Sequence, residues 1–95
     1  MNDKNISFEW NEEKNQLLKN TRNISFEDII LAINEWNLLD IVKNQSSNHE
    51  WQYCFVVWIE KYAFVVPFAK EGNKAFLKTI FPDRRYTKIY FDKKI

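Results

Sequence analysis

From Trp51 to Ile59 the chain carries aromatic and β-branched residues at both alternating sets of positions and no charge. Tyr62 to Ala69 repeats that character after only Glu60 and Lys61. A run that is apolar on both faces reads as a central strand, and two such runs separated by two residues read as a hairpin. Glu71-Gly72-Asn73 supplies a further turn into Phe76–Phe81, so three consecutive strands form a meander. Pro67 lies inside the second run, where it cannot donate to a ladder, and a bulge is expected at that point. With 45% hydrophobic and 17% aromatic residues, one Gly and two Pro, the chain is expected to fold as a single domain spanning 1–95. Disorder and fibre formation are excluded.

The N-terminal half changes period. Ile6–Trp10 alternates as a short half-buried strand. Asn11 is a suitable N-cap, and Glu12 and Glu13 suit the positive end of a helix spanning about 11–21, whose apolar residues are Leu17 and Leu18 alone. Ser25 with Asp28 resembles a capping box, and Phe26, Ile29, Ile30 and Ile33 form one stripe of a second helix that Trp36 is expected to close. Leu38–Val42 is a further strand, and 44–48 is a polar loop. Pro82-Asp83 opens a third helix, 84–92, with Asp83 as N-cap. Tyr86, Ile89 and Tyr90 are expected on its packing side, and Arg84, Arg85 and Lys88 on another side. The order β-α-α-β-β-β-β-α describes an α+β domain, its antiparallel sheet packed by helices on one face.

Several chemistries lack their residues. A single Gly leaves no phosphate-cradling loop, and one His and one Cys leave no dedicated metal cluster, so no cofactor and no metal are expected. His49 reads as a solvated loop residue. Cys54 reads as a small buried hydrophobe; without a partner for a disulfide, a reducing cytoplasm is the expected compartment. Neither a signal-peptide pattern nor an apolar stretch of about 20 residues is present, so no membrane partner is expected. Glu12 and Glu13 serve helix capping better than acid–base work.

Charge is split along the chain. Residues 1–60 hold five Lys or Arg against ten Asp or Glu, a balance of −5, and residues 74–95 hold seven against two, a balance of +5. Such asymmetry fits a basic end that faces an anion, or else a solvated basic tail. The basic and aromatic group is Lys78, Arg84, Arg85, Tyr86, Lys88 and Tyr90, with Lys14 as an addition. Cations of this kind hold phosphates, and exposed aromatics stack on bases. RNA can be cleaved without metal or histidine, because the nucleophile is its own 2′-hydroxyl and the protein need only position it, neutralise the phosphorane and move protons. The pattern permits this chemistry without requiring it.

Phe8-Glu9-Trp10-Asn11-Glu12-Glu13-Lys14-Asn15, followed after seven residues by Asn23-Ile24-Ser25-Phe26-Glu27-Asp28, resembles the BrnT-like toxins of bacterial type II toxin–antitoxin systems. Their hallmark is Phe-x-Trp-Asp-x-x-Lys-Asn, then His-Gly-Ile-Ser-Phe-Glu opening a second helix, within a RelE-like fold. The resemblance implies a toxin that is a metal-independent ribonuclease blocking translation. It also implies a cognate antitoxin encoded next door, with the complex expected to bind operator DNA. This chain has Asn11 for the family's Asp, Arg22-Asn23 for its His-Gly, and Arg84-Arg85 in place of a longer arginine-rich stretch. The implied catalytic set is therefore Lys14, Arg22, Lys78, Arg84 and Arg85, with Tyr86, Lys88 and Tyr90 binding RNA. The antitoxin is expected to dock an acidic segment on the third helix and the sheet beside it. The alternative is a catalytically degenerate member acting as a protein-binding or regulatory module.

Overall fold

Pro67 determines how the sheet is assembled. The computed structural model describes residues 6–43 and 52–94. Strand β1 is Ser7–Trp10, β2 Leu38–Lys43, β3 Gln52–Ile59, β4 Tyr62–Glu71, β5 Lys74–Leu77 and β6 Phe81–Pro82. Their order is β1-β5-β4-β3-β2, with β6 also on β4. Toward β3 the β4 register is unbroken through Cys54↔Pro67. Toward β5 and β6 it is interrupted: Phe68 faces Leu77, Val65 faces Phe81, and between them Lys78 N–H donates to the Pro67 carbonyl at 2.8 Å. The missing N–H of Pro67 thus points to the side where its neighbour bulges, so a central strand accommodates it. The expected strand Phe76–Phe81 is accordingly split in two.

Both hairpins are two-residue turns. Glu60 and Lys61 sit at φ 52° and 68°, the left-handed pair that matches strand twist, without a glycine between them. Gly72, at φ 61°, opens the second. The sheet is mixed, because β1 runs parallel to β5 while the other pairings are antiparallel.

Helix α1 is Glu12–Arg22, α2 Phe26–Asn34 and α3 Arg84–Lys94. Asn11 caps α1 by accepting from Lys14 N–H, and Ser25 and Asp28 form a complete capping box on α2. Asp83 caps α3, its Oδ1 accepting from Tyr86 N–H at 3.0 Å. The first two helices bury Leu18, Phe26, Ile29 and Ala32 against Phe55, Val57, Val66 and Phe68. Tyr86 and Tyr90 of α3 pack instead on Cys54, Val56, Trp58, Ala63 and Val65. Helices therefore cover both faces of the sheet rather than one. The physical reason is already in β3 and β4: their alternate residues are apolar on either side, and each side requires cover.

Two side chains depart from expectation. Trp36 does not close α2: it is 89% exposed, at φ 66°. Asn37 N–H bonds the Ala32 carbonyl at 2.9 Å and Trp36 N–H bonds that of Ile33 at 3.2 Å, a Schellman end in which the left-handed residue swings its indole outward. Ile89 is also exposed, while Phe91 lies beside Trp58 with ring centroids 6.3 Å apart. The element order, with β6 as a two-residue addition, is the α+β RelE/BrnT-like arrangement. No helix among the described residues is long and apolar enough to cross a membrane. The polar loop at 44–48, His49 and Trp51 lie outside the described residues.

Candidate functional site

Arg22 ends α1, and the chain turns there because Asn23 takes the left-handed C-cap conformation at φ 58°. Ile24 then enters the core. The turn directs the Arg22 guanidinium across to the β5–β6 connection, where Nη1 donates to the Ile80 carbonyl at 2.6 Å. Two cavities meet at this side chain. One, of about 700 Å³, is lined by Arg22, Asp28, Glu35, Glu60, Lys61 and Tyr62 among others. The other, of about 450 Å³, continues over Ile80, Phe81 and Pro82. Both share Arg22, Ile24 and Phe64. Pro82 leads through Asp83 directly into Arg84 and Arg85, so the second cavity ends near the start of α3.

Of the residues singled out in the sequence, the structure gathers some. Arg84, Arg85 and Lys88 are exposed on α3. The Arg85–Asp83 ion pair is loose at 3.9 Å. Tyr86 and Tyr90 are half-buried with the sheet beneath them. Lys14 is half-buried on α1, eight residues before Arg22 and so about 12 Å from it along the helix axis. Lys78 is exposed, with Nζ 5.1 Å from the centre of the Phe76 ring. Lys14 and Lys78 line neither cavity.

Sequence reasoning missed part of the lining. Glu60, Lys61 and Tyr62 were legible only as a turn and the start of a strand, yet the two-residue hairpin brings all three to the groove. A charged pair occupying a turn that usually favours Asn or Gly was the available signal. Asp28 is engaged in the α2 cap, its Oδ2 accepting from Ser25 N–H at 2.9 Å.

Electrostatics elsewhere are structural. The Asn15 side chain donates to Glu27 and holds its carboxyl below the ordinary range. Gln16 and then Trp10 do the same for Glu12. Burial pushes the Cys54 thiol up, as suits an inert core residue. Among the described residues, no three His, Cys, Asp or Glu side chains come together as a metal site.

The groove thus combines a guanidinium, an ammonium, a phenol and carboxylates in a concave setting. Such groups can neutralise an anion and move protons. The fold is consistent with a small toxin-like α+β domain. No family model and no curated protein matches the chain.

Proposed function

We propose that the chain is the toxin of a type II toxin–antitoxin pair, a cytoplasmic, metal-independent endoribonuclease that inhibits translation and is neutralised by a cognate antitoxin. The observation that carries this reading is the position of Arg22, a cation anchored to Ile80 where two cavities join. The RNA 2′-hydroxyl attacks the adjacent phosphorus, the new 2′-O–P bond forms, and the P–O5′ bond breaks with protonation of O5′. Arg22 stabilises the phosphorane charge. Lys61 and Tyr62, which line the same cavity as Arg22, exchange the protons of the 2′-hydroxyl and O5′ in this reading. Arg84, Arg85 and Lys88 hold flanking phosphates beyond the second cavity, bordered by Tyr86 and Tyr90. Lys14 and Lys78, outside the cavities, contribute to attraction of the polyanion at longer range.

The test is cleavage of an end-labelled RNA in the presence of a chelator. Fragments ending in 2′,3′-cyclic phosphate are expected, with loss of cleavage on 2′-deoxy substitution at the cut nucleotide and in Arg22→Ala. A hydrolysis that needs added metal, or one unaffected by Arg22→Ala, overturns the mechanism.

A second reading has its own observation. Asp28, Glu35 and Glu60 outnumber Arg22 and Lys61 among the ionisable groups lining the larger cavity, which is unfavourable for a polyanion. A catalytically degenerate, protein-binding relative fits that balance. Intact RNA together with retained antitoxin binding would identify it.

A further inference from the structure

The larger cavity beside Arg22 has a charge pattern that a phosphate site alone does not explain. Its carboxylates are Asp28, Glu35 and Glu60, against the cations Arg22 and Lys61. Asp28 is engaged in the α2 cap, but Glu35 and Glu60 form no ion pair among the described residues. Two acceptor-only groups thus line the same hollow as the guanidinium. The hairpin itself does not call for Glu60. Both central residues of the β3–β4 turn have positive φ, 52° at Glu60 and 68° at Lys61, where Asn followed by Gly is the least strained choice. Glu60 therefore destabilises its own turn, a pattern common at ligand sites.

Tyr62 and Phe64 add an aromatic wall to the same lining. Both are half-buried, with ring centroids 5.9 Å apart and planes at 62°. Single-stranded bases are held by this combination, stacked on a ring and hydrogen-bonded along the Watson–Crick edge. Deepening the RNA reading of this groove, on which it rests, we propose that the cavity selects guanine. Glu60 accepts from guanine N1–H and the N2 amino group, and Arg22 takes the phosphate on the 3′ side of that nucleotide. Glu35 adds to the acceptor character of the lining.

Other occupants fit less well. Guanine alone has two adjacent donors on its Watson–Crick edge, and they match the two oxygens of one carboxylate. Adenine and cytosine each offer one amino group beside an acceptor nitrogen, and uracil one N–H between two carbonyls, so a carboxylate there meets a lone pair. A lining of cations alone would hold phosphate without regard to the base. A lysine-rich peptide, the other common ligand of carboxylates, is disfavoured by Arg22 and Lys61 on the same lining.

The experiment uses the full chain, isotopically labelled, titrated with the 3′-monophosphates of guanosine, inosine, adenosine, cytidine and uridine. The guanosine nucleotide is expected to bind about tenfold tighter than those of adenosine, cytidine and uridine, and to shift the amide resonances of Arg22, Glu60 and Lys61. Inosine, which lacks the N2 amino group, should fall between. Glu60→Gln replaces one acceptor by a donor and should erase the preference while the spectrum of the free protein stays folded. Glu60→Asn suits the turn better, so it should erase the preference and raise the melting temperature, which separates base reading from the integrity of the hairpin. Equal binding of all nucleotides, no binding, shifts centred on α3, or a preference kept in Glu60→Gln would each overturn the proposal. A 3′-monophosphate has no P–O5′ bond to break, so the readout does not depend on cleavage. Guanine preference in a protein that leaves RNA intact keeps the proposal and overturns the ribonuclease, and cleavage after every base does the reverse.

Discussion

The side-chain oxygen of Asn15 on α1 accepts the backbone N–H of Phe26, the first residue of α2, at 2.8 Å. Asn15 Nδ2 donates to Glu27 at 2.8 Å, and the residue is fully buried. Helix N-termini leave backbone donors unsatisfied, and here Ser25 takes the N–H of Asp28 while Asn15 takes that of Phe26. Two helices are thereby fixed in one orientation, and Arg22 is directed to Ile80. Asn15→Ala should leave a buried N–H without a partner and cost about 2–3 kcal/mol. Urea unfolding measures it, and a loss below about 0.5 kcal/mol would show that the contact carries little.

Asn15 also controls a pH response. Its bond lowers the Glu27 carboxyl in the folded state, so this contribution is present above the unfolded carboxylate range and disappears as acid takes pH down through the folded value. Glu27 is largely exposed, so the effect is small. Stability of the wild type should fall more steeply in acid than that of Asn15→Ala. Parallel stability–pH curves would contradict the coupling.

Much of this arrangement was legible in the sequence. Asn11, Ser25 with Asp28, and Asp83 signalled all three helix starts, because capping is local chemistry. The paired runs around Glu60-Lys61 signalled the central hairpin, and Pro67 an irregularity that falls not in that hairpin but between β5 and β6 on its other side. Asn15 was visible only as one letter of a motif: its partners lie 11 and 12 residues away, beyond any helical period. The side of the sheet that α3 takes was equally hidden, since Tyr86 and Tyr90 show that a helix packs and not on what. Arg22 stood out as a departure from the family pattern, but its cavity depends on Ile80, 58 residues on.

Trp36 occupies a left-handed position that favours glycine and packs its side chain on almost nothing. Trp36→Gly removes the clash of Cβ with the backbone and forfeits little burial. After the extra chain entropy of glycine, a gain of about 0.5–1 kcal/mol is expected. A lower melting temperature in the variant would mean that the indole has a stabilising contact in solution.

Thr87 fastens α3 to the sheet. Its Oγ1 donates to the Asp83 carbonyl at 2.7 Å and accepts from Ala63 N–H at 2.9 Å, at the start of β4. Thr87→Val keeps the shape and orphans that N–H beside a fully buried residue, at a cost of about 1–3 kcal/mol. Thr87→Ser keeps both bonds and should lose much less. Equal losses in the two variants would assign the effect to the methyl group instead.

Arg84 and Arg85 separate binding from folding. Both side chains are exposed, and the pair from Arg85 to Asp83 is long, at 3.9 Å, with its guanidinium in solvent. Replacing both by Ala should therefore change stability by no more than about 0.5 kcal/mol. Arg22 differs, because its removal also leaves the Ile80 carbonyl without that donor. If the two arginines contact phosphates, each contact releases a counterion, and the dependence of single-stranded RNA affinity on salt should flatten by about 0.7 per arginine, or about 1.4 for the double variant. Fluorescence anisotropy of labelled RNA across a salt series measures this slope. An affinity loss with an unchanged slope would mean that the arginines act through the shape of α3, and an unchanged affinity would place the RNA elsewhere on the protein.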